Sequence, residues 1–177
     1  MEKTDWYFDA VEYAVTNGLL LGTSHSTFEP EENLTRAMAA TVLYRMAGKP
    51  AVDAKASFKD VAEGQWYTEA VAWAKATGIV GGYEDNTFRP DQEISREEMA
   101  VMLMRYAKFM EVDVTPKGDL SKYPDHASVA SWAKDAVTWC VDNGIINGSD
   151  GKLLPQDNAT RAEFAAIVGR FDKMQKT

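Results

Sequence analysis

Apolar residues fall at helical spacing just after the first aromatic pair of the chain. Ala10, Val11, Ala14 and Val15 line one face of a turn-by-turn pattern, with polar residues between them. The pattern stops at Asn17-Gly18, where a glycine in a left-handed conformation ends a helix well. The same pattern returns twice. Trp6-Tyr7-Phe8-Asp9-Ala10-Val11-Glu12-Tyr13-Ala14 aligns with Trp66-Tyr67-Thr68-Glu69-Ala70-Val71-Ala72-Trp73-Ala74 and with Trp132-Ala133-Lys134-Asp135-Ala136-Val137-Thr138-Trp139-Cys140. The tails that follow are Asn17-Gly18-Leu19-Leu20, Thr77-Gly78-Ile79-Val80 and Asn143-Gly144-Ile145-Ile146. A recurring unit of this size is the signature of a repeat architecture, and each unit opens with one amphipathic helix.

A turn-rich stretch comes next and closes on Thr27-Phe28-Glu29-Pro30, Thr87-Phe88-Arg89-Pro90 and Lys152-Leu153-Leu154-Pro155, which predicts a loop with a short extended piece. Thr35-Arg36-Ala37-Met38, Ser95-Arg96-Glu97-Glu98 and Thr160-Arg161-Ala162-Glu163 then lead into apolar runs that end near Arg45, Arg105 and Arg170. A Ser or Thr with Glu three residues on is a capping box, in which hydroxyl and carboxylate each satisfy a free backbone N–H. Units two and three have the full box; unit one has Met38 in place of the acid, which predicts a weaker cap. Segments 48–56 and 111–120 contain Pro and Gly without strong period and read as connectors. The chain is therefore expected to be one domain of three units, 1–48, 57–110 and 121–173.

Composition narrows the function. At 177 residues, with 45% hydrophobic and 26% charged positions, the chain is that of one folded domain. A net charge of -8 argues against nucleic acid, whose phosphates are gripped by excess Lys and Arg. Any anionic polymer must meet positive charge gathered locally, which directs attention to a few arginines. No stretch is apolar enough to span a bilayer, and Met1 to Trp6 lacks the apolar run of a signal peptide, so a secreted reading implies a piece of a longer protein. Cys140, alone of its kind, aligns with Ala14 and Ala74 and reads as a buried small residue rather than a nucleophile. His25 and His126 lack partners at metal-ligand spacing and read as exposed. Glu84-Asp85-Asn86 and Asn147-Gly148-Ser149-Asp150-Gly151 lack the alternation and closing Glu of a calcium loop. Catalytic and phosphate-cradling signatures are absent too, so no enzyme activity, metal or cofactor is expected.

Phe58-Lys59-Asp60-Val61 ahead of the aromatic helix, the Asn/Thr-Gly tail, the Thr-Phe-x-Pro loop and the Thr-Arg-Ala-Glu helix start, taken together, resemble the repeats of the S-layer homology (SLH) family. The resemblance covers nearly the whole chain. It implies an all-α fold, a pseudo-threefold spindle with the first helices of the three repeats in a central three-helix bundle and a groove between neighbouring repeats. It also implies an extracellular module that anchors a larger surface protein or secreted enzyme to secondary cell-wall polysaccharide, often through a terminal pyruvylated N-acetylmannosamine. The chain departs from the family pattern in three places: no Phe-x-Asp-Val precedes Trp6, Tyr123-Pro124-Asp125 stands in its place in unit three, and Met38 replaces an acid.

On that reading Arg36, Arg96 and Arg161, with their caps Thr35, Ser95 and Thr160, are the expected contacts for a ketal carboxylate, because a guanidinium fork and free helix amides suit an anionic oxygen. Trp66 and Trp132, with Tyr7 and Tyr67, are expected platforms for sugar faces. Trp6, Trp66 and Trp132 equally suit core packing. Asp60 and Asp125 are candidate groove residues or partners for the arginines. Gly22, Gly82 and Gly148 allow close approach of the backbone to a ligand, or a tight turn. The alternative function is a structural or protein-interaction module for surface assembly whose grooves bind no glycan.

Overall fold

The computed structural model describes residues 2–22, 27–53 and 58–176. Among them are six α-helices: α1 (Phe8–Thr16), α2 (Arg36–Met46), α3 (Thr68–Ala76), α4 (Arg96–Phe109), α5 (Lys134–Asp142) and α6 (Arg161–Gln175), with a 3-10 turn at His126–Ser128 before α5. The described residues form no extended strand, only isolated bridges between loops. The fold is all-α, and no described helix is long and apolar enough to cross a membrane.

Local chemistry sets where the helices begin and end. Gly18 and Gly144 take φ of 66°, and the amides of Leu19 and Ile145 reach back to the carbonyls of Ala14 and Cys140 at 2.8 Å, closing the last turns of α1 and α5. The hydroxyls of Thr35, Ser95 and Thr160 accept from the amides of Met38, Glu98 and Glu163 at 3.2 Å. Ser95 and Thr160 have the reciprocal carboxylate bond as well, whereas Thr35 has only the hydroxyl half.

Packing runs around a closed circle: α3 lies on α2, α5 on α4, and α1 on α6, so each first helix rests on the second helix of the preceding repeat and the third repeat closes onto the first. The first helices make no direct backbone contact with one another, and α2 meets α4 instead. The expected bundle of first helices is not seen in these contacts, and among the second helices only α2 and α4 touch. α1 is the least buried helix, with only Val11 and Ala14 shut away, whereas α2, α3 and α6 are buried along most of their length. An aromatic chain fills the interior, from Tyr44 to Trp73 (5.5 Å between centroids), Trp73 to Tyr106 (6.4 Å) and Tyr106 to Phe171 (5.7 Å).

At the centre the three repeats are tied by their backbones. The Leu34 amide donates to the Ala159 carbonyl at 2.8 Å, Ala159 to Ile94 at 2.9 Å, and Ile94 to Leu34 at 2.9 Å. The three residues are fully buried, and each immediately precedes a helix cap. Beyond this triangle, the first two amides of each second helix donate to the loop of the next repeat: Arg36 and Ala37 to Gln92 and Pro90, Arg96 and Glu97 to Asp157 and Pro155, Arg161 and Ala162 to Glu32 and Pro30. Helix amides that the sequence suggests are free for a ligand are therefore spent on neighbouring carbonyls.

Gly82 and Gly148 take φ of 72° and 78° beneath aromatic rings of their own repeats, Phe58 and Tyr123. A Cβ at Gly82 would also meet the Thr87 carbonyl oxygen at 2.9 Å, whereas one at Gly18 meets nothing within 4 Å. Gly82→Ala is expected to cost about 2–4 kcal/mol of unfolding free energy and Gly18→Ala about 1 kcal/mol, from backbone strain alone. Urea denaturation of the two variants checks this, and equal losses would show that the ring does not constrain Gly82.

Candidate functional site

Each second helix sends its first arginine across to the next repeat. Nε of Arg36 donates to the Phe88 carbonyl (2.8 Å), Arg96 to Leu153 (2.9 Å) and Arg161 to Phe28 (2.8 Å). The guanidinium of Arg36 also stands 4.9 Å from the Tyr83 ring centroid, and that of Arg161 stands 4.8 Å from the Phe28 centroid. Only 8%, 7% and 4% of Arg36, Arg96 and Arg161 is exposed, so these side chains are bridges between repeats before they are anything else.

Their ion pairs are not equivalent. Nη1 of Arg36 meets Oε1 of Glu98 at 3.5 Å, and Nη1 of Arg96 is hydrogen-bonded to Oε1 of Glu163. Both acids are capping-box residues whose other oxygen accepts the cap amide, Ser95 to Glu98 at 2.9 Å and Thr160 to Glu163 at 3.0 Å. Arg161 finds Met38 in the corresponding place, with Nη1 3.8 Å from Sδ, while Nη2 donates to the Leu21 carbonyl at 2.8 Å. Burial pulls the Arg161 guanidinium below its usual range, against Glu29 and Glu32, which act in the other direction.

Two grooves open beside these bridges. One, about 290 Å³, is lined by Arg36, Gly82, Tyr83, Glu98, Arg105 and Trp132, with neighbouring apolar residues. The other, about 270 Å³, is lined by Arg96, Gly148, Ser149, Glu163, Arg170 and Trp6. Position for position they are the same site: a bridging arginine, the glycine after a first-helix tail, the cap acid, a second arginine and the tryptophan of the following first helix. The corresponding residues on the third side are Arg161, Gly22, Met38, Arg45 and Trp66. Arg45 and Trp66 line a cavity of about 590 Å³ between the first and second repeats, together with Lys49, Glu63 and Glu69, and Arg161, Gly22 and Met38 are not among its lining residues.

The three tryptophans at the starts of the first helices lie at the surface. Trp6, Trp66 and Trp132 are 65%, 60% and 60% exposed, so they present their rings to solvent at the groove mouths and are not core residues. Trp6 and Trp66 are braced edge-on by Tyr7 and Tyr67, at 5.3 and 5.0 Å. Tyr67 is buried, and repeat three has the small, buried Ala133 in that place. Tyr7 and Tyr67 thus pack edge-on against the exposed tryptophans.

Asp60 and Asp125 do not pair with the arginines. Asp60 accepts the amides of Phe88 and Arg89, both at 2.8 Å, and Asp125 those of Leu153 (3.0 Å) and Leu154 (2.8 Å), so each clasps its own loop. Thr35, Ser95 and Thr160 act as caps. Gly22 is exposed. Asp85 accepts from Thr87, and Ser149 and Lys152 close a tight turn over Asp150 and Gly151, so the stretches weighed for calcium are turns. Among the described residues no group of His, Cys, Asp and Glu is arranged to hold a metal. Cys140 is buried, and burial pushes its thiol far up. His126 is exposed, and His25 lies outside the described residues.

Arg105 and Arg170 are groove residues that the local patterns did not single out. They hold the first-helix tails, Arg105 through the Ile79 carbonyl (3.4 Å) and Arg170 through that of Ile145 (2.9 Å). A signal was present: Arg45, Arg105 and Arg170 each follow the bridging arginine at the same interval.

A family model described as S-layer homology domain matches residues 1–40, 57–100 and 122–165. The S-layer protein sap of Bacillus anthracis is 34% identical over 170 residues, covering 95% of this chain and 20% of that protein. An endoglucanase of Bacillus sp. (strain KSM-635) is 30% identical over 169 residues, with coverage of 95% and 18%. An amylopullulanase of Thermoanaerobacterium thermosulfurigenes is 30% identical over 167 residues, with coverage of 94% and 9%. The chain spans one fifth or less of the length of these relatives.

The clasp of Asp125 sets an acid sensitivity. Burial alone would raise its pKa, but the Leu153 and Leu154 amides outweigh that and hold the carboxyl below its usual range. A carboxyl depressed in the folded state stabilises the fold above its unfolded pKa and loses that contribution as pH falls through the folded value. Asp125→Asn is therefore expected to lower Tm at pH 7 and to flatten the decline of Tm below about pH 4. A decline as steep as that of the unaltered protein would remove Asp125 from the acid response.

Proposed function

The chain belongs to the S-layer homology domain family, a cell-surface anchoring module that S-layer proteins and surface enzymes carry as one part of a longer chain, and we propose that it binds secondary cell-wall polysaccharide in the clefts between its repeats. The bound end of the polymer is an acidic sugar, with pyruvylated N-acetylmannosamine as the model ligand. The observation that carries the reading is the recurrence of an exposed tryptophan in a cleft with arginine: Trp132 with Arg36 and Arg105, Trp6 with Arg96 and Arg170, and Trp66 with Arg45. An indole face suits the C–H surface of a pyranose, and a guanidinium meets a carboxylate with two parallel N–H groups. The overall charge of -8 repels an acidic polymer, so attraction must be local and short-ranged, and arginines recessed in clefts meet that condition. In this reading the module is extracellular and wall-associated, non-catalytic, and linked to a surface protein or secreted enzyme.

The alternative, a protein-contact module without glycan binding, separates from this reading by experiment. Arg36, Arg96 and Arg161 are poor first targets because their removal unties the repeats, whereas the tryptophan rings are exposed and can be removed with the fold intact. Replacement of Trp6, Trp66 and Trp132 together by alanine is expected to lower co-sedimentation with purified wall polymer at least tenfold, on the order of 1 kcal/mol or more, with Tm nearly unchanged. Undiminished binding by the folded variant would sink the glycan reading of the clefts. Concentration-dependent self-association that is lost with the tryptophans would favour the alternative.

A further inference from the structure

The three clefts share one frame but differ in charge. In the clefts of Arg36 and Arg96, an internal carboxylate sits between the guanidinium and the amide of a helix cap: Glu98 joins Arg36 to the Ser95 amide, and Glu163 joins Arg96 to the Thr160 amide. In the cleft between repeats three and one the same two donors are present, Arg161 Nη1 and the Thr35 amide, and the acid is not. Met38 lies there instead, half-buried, with its sulfur 3.8 Å from Arg161. The Thr35 amide has no acceptor among the described residues, because its bridge to Glu93 is of the kind in which the flanking residues make the hydrogen bonds. Arg45 holds in this repeat the position of Arg105 and Arg170 in the others and lines the neighbouring cavity with Trp66. Its counterparts Arg105 and Arg170 donate to backbone carbonyls, whereas Arg45 has no partner among the described residues.

We infer that this third cleft is the primary anion site of the chain, in which an acidic oxygen group of the ligand takes the place that Glu98 and Glu163 occupy in the other two, and that Met38 is the residue that keeps it open. Among the described residues the Arg161 guanidinium has no ion-pair partner and the Thr35 amide no acceptor, and an incoming carboxylate or phosphate would serve both without displacing an internal acid. Methionine is suited to the position: it is unbranched, flexible and uncharged, and can swing aside for a ligand oxygen. Glu29 and Glu32 act on Arg161 only electrostatically and form no ion pair with it. The identity of the polymer rests on the glycan reading; the anion site does not.

The test pairs the unaltered protein with Met38→Glu, which rebuilds the motif of repeats two and three and so is expected to fold and to raise Tm. Nitrogen–proton spectra are followed during titration with inorganic phosphate and, separately, pyruvate, and binding to purified wall polymer is measured alongside. The Thr35 amide and the Arg161 Nε–H are expected to shift with either anion while the Ser95 and Thr160 amides stay fixed. M38E is expected to abolish the response and to weaken polymer binding by tenfold or more. The reciprocal Glu163→Met should make the Thr160 amide respond. A stronger response to pyruvate would assign the group to a ketal carboxylate, and one to phosphate to a phosphorylated polymer. A Thr35 amide indifferent to both anions, or a response that M38E leaves intact, overturns the inference. Polymer binding unchanged by M38E overturns the primacy of this cleft and leaves the glycan reading standing. An anion response that M38E removes, in a protein that never binds polymer, keeps the site and removes the glycan reading.

Discussion

Three backbone hydrogen bonds, from Leu34 to Ala159, from Ala159 to Ile94 and from Ile94 to Leu34, are the constraint on which the rest of the molecule depends. Each residue gives its amide to one neighbouring repeat and its carbonyl to the other, and all three are shut away from water. A buried amide or carbonyl left without a partner costs about 1–3 kcal/mol, so no repeat can satisfy its own central backbone alone. The ring is complete only with three. The helix caps follow directly on these residues, which is why the leading amides of the second helices fall on the carbonyls of the adjacent loop.

The clefts are a by-product of the same geometry. A second helix anchored at its start to the next repeat throws its first arginine over the boundary, where the carbonyl of Phe28, Phe88 or Leu153 receives it. The first helix of the repeat beyond lies against the far end of that boundary and contributes its tryptophan at the rim. The buried arginine therefore serves twice in the first two repeats: its Nε ties the boundary, and Nη1 of Arg36 and Arg96 meets the cap acid in the cleft. Positive charge at each boundary exists within an acidic chain because neighbouring repeats require it structurally. Repetition gives three such places; one substitution, methionine for glutamate at position 38, makes them unequal.

The local part of this account was legible in the sequence. The helices followed from the spacing of Val11, Ala14 and their counterparts, the helix ends from Gly18, Gly78 and Gly144, the caps from Thr35, Ser95 and Thr160, and burial of Cys140 from its alignment with two alanines. All of these are decided within a turn or two of chain. The partners of the arginines were not legible, because Phe88 is 52 positions from Arg36 and Phe28 is 133 from Arg161, and no local pattern encodes such a distance. Asp60 and Asp125 were plausible arginine partners by charge alone; the short, direct geometry of two adjacent loop amides won. The tryptophans were ambiguous because an aromatic residue at a helix start can face either way, and only the packing of the following repeat leaves the ring in solvent. Met38 was legible as a departure, but in the sequence it spoke of a weaker cap. Its second consequence, a guanidinium without its acid, is visible only once Arg161 is seen beside it.

The central claim is that clefts created by ring closure recognise an acidic wall sugar. Calorimetric titration of the folded domain with synthetic pyruvylated N-acetylmannosamine, and with the same sugar lacking pyruvate, tests it most directly. The account predicts saturable heat from the pyruvylated sugar and little or none from its neutral counterpart. Equal heats from the two, or none from either in a folded protein, would contradict it.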